Sequence, residues 1–108
     1  MSGTANQPEW LWTWSGASFG YRDGDDLWTH DGRYVGCIHD EQIYHPEGRY
    51  LGELMDGNRL ITAKSRRRAR RAKFAARPPR TRSPRRNRLP GYSMPTGFED
   101  FPLPENLP

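Results

Sequence analysis

Large apolar side chains in this chain do not recur at the 3.6-residue spacing of an amphipathic helix. They come as short pairs and runs separated by polar, glycine-bearing turns. Leu27-Trp28 leads through Asp31-Gly32 into Tyr34-Val35-Gly36-Cys37-Ile38, and Ile43-Tyr44 leads through Glu47-Gly48 into Tyr50-Leu51-Gly52-Glu53-Leu54. The runs are rich in aromatic and β-branched types, which favour strands. The glycine after the acidic residue admits the positive φ that a hairpin turn requires. Each stretch therefore predicts two strands joined by a tight turn.

The two stretches align without a gap at a spacing of 16 residues. Sixteen residues earlier stands Leu11-Trp12, followed by Gly16, Phe19 and Gly20, and sixteen residues later stands Arg59-Leu60-Ile61. Trp12, Trp28, Tyr44 and Leu60 thus share one spacing, as do the turn glycines Gly16, Gly32 and Gly48 and the later glycines Gly20, Gly36 and Gly52. An internal period of this kind decides the fold before any single element does. Residues 10–63 are expected to form a small all-β domain of four 16-residue units, the last a half-unit, in an antiparallel meander of about seven strands. Gly20, Gly36 and Gly52 fall inside second strands, where a missing side chain points to close backbone approach.

The motif of an aromatic-bearing strand, Asp-Gly-Arg-Tyr, a hydrophobe and Gly, then a polar turn and Ile-Tyr, resembles the bacterial domain family called the 4-fold beta flower. The likeness covers residues 10–63. It implies four hairpin units about a pseudo-fourfold axis, with strand edges protected as radial repetition protects them in propellers. It brings no assigned activity and no catalytic residues.

Charge divides the chain differently. Residues 1–63 hold four basic and ten acidic side chains, residues 64–88 hold thirteen Lys or Arg and no carboxylate, and residues 89–108 add three carboxylates; −6 + 13 − 3 gives the net +4. A block of like charge self-repels and marks an interaction segment. Residues 64–77 are rich in good helix formers, so a helix ended by Pro78-Pro79 is one expectation. Residues 78–108 read as a proline-rich disordered tail with an acidic, aromatic end, and residues 1–9 as a flexible N-terminus.

The candidate nucleic-acid contacts are Arg66, Arg67, Arg68, Arg70, Arg71, Lys73, Arg77, Arg80, Arg82, Arg85 and Arg86. Arginine-rich segments commonly fold on RNA, and each phosphate they neutralise makes binding more salt-dependent. The function expected is a non-enzymatic binding protein: a β scaffold presenting an arginine-rich arm to RNA or DNA phosphates, without strong sequence choice. The competing expectation is an adaptor whose acidic β domain binds a protein partner, with the tail as a tether. An acidic protein is the other partner the tail would suit. Tyr34 and Tyr50, beside the turns, are a candidate partner surface.

Catalytic and metal readings find no support in the spacing. His30, Asp31, His39, Asp40 and His45 sit in turns without a ligand spacing that fixes metal geometry. The repeat itself accounts for the acidic turn positions, so no catalytic residue, metal or cofactor is expected. Cys37 is the single cysteine, which fits a reducing compartment. No stretch approaches the roughly 18 apolar residues of a membrane-spanning helix, and the first residues lack a signal-peptide pattern. A cytoplasmic location is expected.

Overall fold

The computed structural model describes residues 8–107. Of the expected flexible N-terminus only Pro8 and Glu9 fall within them, and Glu9 already opens the first strand. Eight strands follow in chain order: β1 (Glu9–Thr13), β2 (Ser18–Asp23), β3 (Asp26–Thr29), β4 (Tyr34–His39), β5 (Gln42–Tyr44), β6 (Tyr50–Met55), β7 (Arg59–Ala63) and β8 (Phe98–Asp100). Sequence neighbours pair antiparallel, and β1 also pairs in parallel with β7 through Trp12 to Arg59 and Thr13 to Leu60. The first seven strands thereby close into a barrel. On its edge away from β6, β7 offers Arg59 and Leu60 to β1 and Ile61, Thr62 and Ala63 to β8.

The 16-residue period reappears in the hairpins. Gly16, Gly32 and Gly48 take φ of 98°, 89° and 94°, and their N–H groups donate to the carbonyls of Thr13, Thr29 and His45 at 2.9, 3.0 and 2.7 Å. Each hairpin has its register shift at one position, between Leu11 and Trp12, Leu27 and Trp28, and Ile43 and Tyr44. The turn ends in a positive-φ glycine and the strand gains a bulge. The strand glycines answer to the next unit: a Cβ on Gly20 or Gly36 would stand 2.0 Å from the Trp28 or Tyr44 carbonyl oxygen, and one on Gly52 2.5 Å from that of Ile61. Close backbone approach is therefore the reason for all three.

Those contacts make Ile61, not Leu60, the counterpart of Trp28 and Tyr44. The expected alignment of Leu60 with Trp12, Trp28 and Tyr44 is off by one residue. The turn joining β6 to β7 holds Asp56, Gly57 and Asn58, one residue more than the two-residue turns Gly24-Asp25 and Asp40-Glu41. A shift of one moves a side chain to the opposite face of a strand, so Leu60 points into the barrel. There it meets Leu11, Leu27 and Ile43, together with Phe19, Val35, Leu51 and Phe101. The first four come from the leading strands of the four units and the second four from the trailing strands, which is the fourfold repeat expressed as packing.

Phe101 belongs to that set because β8 is the missing half of the fourth unit. Units one to three turn back through a tight hairpin, whereas the fourth leaves β7 at Ala63 and returns at Phe98, which pair directly. The domain boundary expected at residue 63 is corrected accordingly: the barrel needs residues 98–101.

The intervening segment is neither a helix nor a tail projecting from the domain. Lys64–Arg66 forms a single 3-10 turn that runs on into a turn at Arg67 and Arg68, Arg70 makes an isolated bridge to Arg49, and residues 71–95 form no helix or strand. Its backbone bonds to the three hairpins in reverse order. Arg71, Arg80 and Leu89 donate to the carbonyls of Gly48, Gly32 and Gly16 at 2.8, 2.8 and 3.0 Å; Phe74, Ser83 and Tyr92 donate to those of Pro46, His30 and Trp14 at 3.0, 2.7 and 3.1 Å. The segment thus steps nine residues for every sixteen of the barrel, and Lys64 N–H donates to Gly97 at 2.9 Å to close the circuit. The helix expected at 64–77 is absent: two donors a helix would turn to its own carbonyls, Arg71 and Phe74 N–H, are taken by the barrel instead.

At the third hairpin His45 replaces Thr13 and Thr29, and its Nδ1 accepts from Glu47 N–H at 3.0 Å. Burial, then the nearby Arg49, pushes its pKa below the ordinary value, with Glu47 opposing. The folded state therefore binds this proton less readily than the unfolded chain. The stability involved is complete above the unfolded value of about 6.5 and is lost as pH falls from there through the lowered folded value. Urea denaturation between pH 7.5 and 5 should show this loss, and His45→Gln should remove it.

Candidate polyanion-binding surface

The belt carries every arginine and lysine that the sequence nominates, and its path decides what each can do. The acidic barrel surface takes up several of them. Arg66 pairs with Glu53 at 2.9 Å, Arg67 with Glu99 at 2.5 Å, Lys73 with Glu47 at 3.8 Å, Arg77 with Asp26 at 2.9 Å, Arg80 with Asp23 at 2.8 Å and Arg85 with Glu105 at 3.6 Å. Arg67 is bidentate, its Nε reaching the second Glu99 oxygen at 3.1 Å. Pairs this exposed contribute about 0–1 kcal/mol each, so they orient the belt more than they hold it. Arg85 Nε also donates to His30 Nε2 at 3.1 Å, which assigns the His30 proton to Nδ1, facing the Ser83 carbonyl at 3.1 Å.

Stacking holds other guanidinium groups. Arg71 lies over Tyr44 at 5.5 Å, Arg80 over Trp28 at 3.7 Å and Arg86 over Trp10 at 4.1 Å. The first two pairs repeat the nine-to-sixteen stepping of the backbone. The barrel's outer aromatics donate to the belt as well, Trp28 Nε1 to the Pro78 carbonyl at 3.3 Å and Trp12 Nε1 to that of Asn87 at 2.8 Å. Arg68, Arg70 and Arg82 are exposed and have no carboxylate partner among the described residues.

The two tyrosines singled out beside the turns are engaged inside the domain. Tyr34 donates to Asp26 at 2.8 Å, and burial, then that bond, pushes its pKa up. Tyr50 is 5% exposed, donates to Glu53 at 2.9 Å and accepts from Ala63 N–H at 3.0 Å, with burial again raising its pKa. Neither phenol stands clear for a partner. Cys37 is half-buried, and burial followed by the neighbouring Asp26 pushes its thiol up, away from reactivity. No group of three or more His, Cys, Asp or Glu among the described residues could hold a metal ion, and no helix among them is long and apolar enough to cross a membrane.

Trp10 is offered by the sequence only as one of eight aromatics that could stack on sugars or bases, without being singled out. It packs against Tyr21 with ring centroids 5.2 Å apart, beneath Arg86 and beside a cleft of about 460 Å³. Its position within the repeat, held elsewhere by Asp26 and Gln42, carried the signal. The model of the 4-fold beta flower protein family matches residues 3–101, a span that takes in the belt and β8 as well as the seven-stranded barrel. No curated protein and no solved structure matches.

Proposed function

The chain belongs to the 4-fold beta flower family, and from that premise we propose that it is a non-enzymatic binding protein whose arginine belt contacts nucleic-acid phosphates without strong sequence preference. The carrying observation is that Arg68, Arg70 and Arg82 are exposed and unpaired among the described residues, on a backbone the barrel already holds. A fixed strand loses less conformational freedom on binding than a free arm, so its affinity is less reduced by ordering. The paired arginines still present their outer N–H groups, since phosphate and carboxylate can share one guanidinium. With a single thiol and a basic belt, a cytoplasmic site of action is part of the proposal.

The test is a salt titration of the intact chain on a short oligonucleotide. The triple variant Arg68→Ala, Arg70→Ala, Arg82→Ala should lower the slope of log K against log salt by about 2–3. An unchanged slope, or no salt-dependent binding by the natural chain, would end the proposal. One observation favours the adaptor as a second reading. Asp25, Asp40, Glu41 and Asp56 are exposed at the turns joining successive units, away from the belt's ion pairs. Capture of a basic protein that survives nuclease treatment and is lost when these four become neutral would support it.

A further inference from the structure

The pseudo-fourfold repeat supplies its own control for finding what the molecule adds to its scaffold. At the position of Trp10 the second unit has Asp26, which takes the Tyr34 hydroxyl and Arg77, and the third has Gln42, which accepts from Tyr44 at 2.7 Å. With the one-residue offset, the fourth has Arg59, 2% exposed and bonded to the carbonyls of Trp14 and Pro90. In those three units a polar side chain is tied internally. Among these positions only the first unit has an indole, and beside it and the belt lies the 460 Å³ cleft.

The cleft lies within the size range of small-ligand sites, about 300–1,000 Å³. Trp10 and Tyr21 form its aromatic side, Thr81 and Ser83 supply hydroxyls, and Arg80 supplies a cation already fixed by Asp23. Arg86, over the Trp10 ring, adds a second guanidinium beside it, whereas Arg82 lines a separate cleft with His30 and Glu105. An aromatic surface with hydroxyl groups below it and guanidinium groups on either side suits a planar, hydrogen-bonding ring within an anionic chain. Double-stranded nucleic acid keeps its bases stacked away from such a surface, whereas an unpaired strand can turn one base into it. We infer that this cleft binds one unpaired base of a single-stranded nucleic acid running along the belt, stacked against Trp10, with the adjoining phosphates on Arg80 and Arg86. The inference rests on the proposed binding of nucleic-acid phosphates and adds to it a preference for single strands.

The experiment compares three probes of equal length on the intact chain at one salt concentration: a single-stranded oligothymidylate, the same strand without bases, and a duplex. The natural chain should bind the oligothymidylate about 5- to 150-fold more tightly than the abasic strand, the range expected from stacking one base. Trp10→Ala should lose that advantage and leave the abasic and duplex affinities unchanged, and Trp10→Phe should recover most of it. Equal affinity of the natural chain for the oligothymidylate and the abasic strand would overturn the inference without depending on how any variant folds. If Trp10→Ala weakens all three probes alike, the indole is structural and the inference also falls. Binding of every probe with a salt slope that depends on Arg68, Arg70 and Arg82, but without a base preference, would leave the phosphate-binding proposal intact and refute this extension. Absence of binding to any probe refutes both.

Discussion

Phe101→Ala is expected to destabilise the entire barrel by about 3–5 kcal/mol, although the residue lies near the end of the chain and far in sequence from the repeat. Its ring is 2% exposed and meets Phe19 edge-on, with centroids 5.2 Å apart, in the position that Phe19, Val35 and Leu51 hold in the other units. In a domain of this size the loss corresponds to a fall in Tm of roughly 12 °C or more. Phe19→Ala should cost a similar amount, because each ring removes the same wall of one cavity. A chain ending at residue 63 loses β8 and Phe101 together, leaving the C-terminal half of β7 unpaired on one edge, and is expected not to fold. Thermal melts followed by circular dichroism decide both points. A Phe101→Ala melt within a few degrees of the natural chain's would mean that β8 is an accessory rather than part of the fourth unit.

The second large effect is expected at the turn glycines beneath the belt. A Cβ on Gly32 would stand 1.9 Å from the Arg80 carbonyl oxygen, and the residue has a φ of 89°. Gly24 also has positive φ, 64°, but a Cβ there meets nothing within 4 Å. Gly24→Ala therefore measures backbone strain alone, about 1–2 kcal/mol. Gly32→Ala adds displacement of the belt, with loss of the Arg80 N–H bond to Gly32 and weakening of the Arg80 stack on Trp28, for a total of about 3 kcal/mol or more. Hydrogen exchange separates the two effects. In Gly32→Ala the amides of Arg80 and Ser83 should lose protection first, whereas Gly24→Ala should leave them as they are. Equal costs for the two substitutions would show that the belt contributes nothing at this point.

The barrel was legible in the sequence because side chains carry its period: Leu11, Leu27 and Ile43 face inward at one spacing, and the turn glycines are fixed by backbone geometry. The slip at Leu60 arose where two neighbouring residues are both apolar and one extra turn residue decides which points inward. The belt was illegible for a different reason. Its nine-residue stepping is carried by backbone N–H groups, so Arg71, Arg80 and Leu89 play one part with unlike side chains, as do Phe74, Ser83 and Tyr92. Composition reported the charge asymmetry correctly but could not say that much of it is answered within the molecule by Glu53, Asp23, Asp26 and Glu47. Phe101 looked like an isolated aromatic among prolines, and the unfinished fourth unit was the clue that a strand had to return. Trp10 was hidden in a group of three closely spaced tryptophans until the barrel showed which one departs from the repeat.

The pairing of Ala63 with Phe98 also sets an order of events. The first three hairpins are local and can form as soon as their residues are available, but the ring has a gap in its core until a strand some thirty residues downstream arrives to fill it. Closing so long a loop is entropically slow compared with forming the hairpins. During synthesis the belt's residues emerge between the two halves of the last unit, so an unfinished chain presents a barrel core without Phe101 and an unseated run of arginines at the same time. Completion of the C-terminal strand therefore acts as a latch. Any polyanion that meets the nascent chain before that latch closes competes with the barrel for the belt, and the arrival of residues 98–101 decides which of them keeps it.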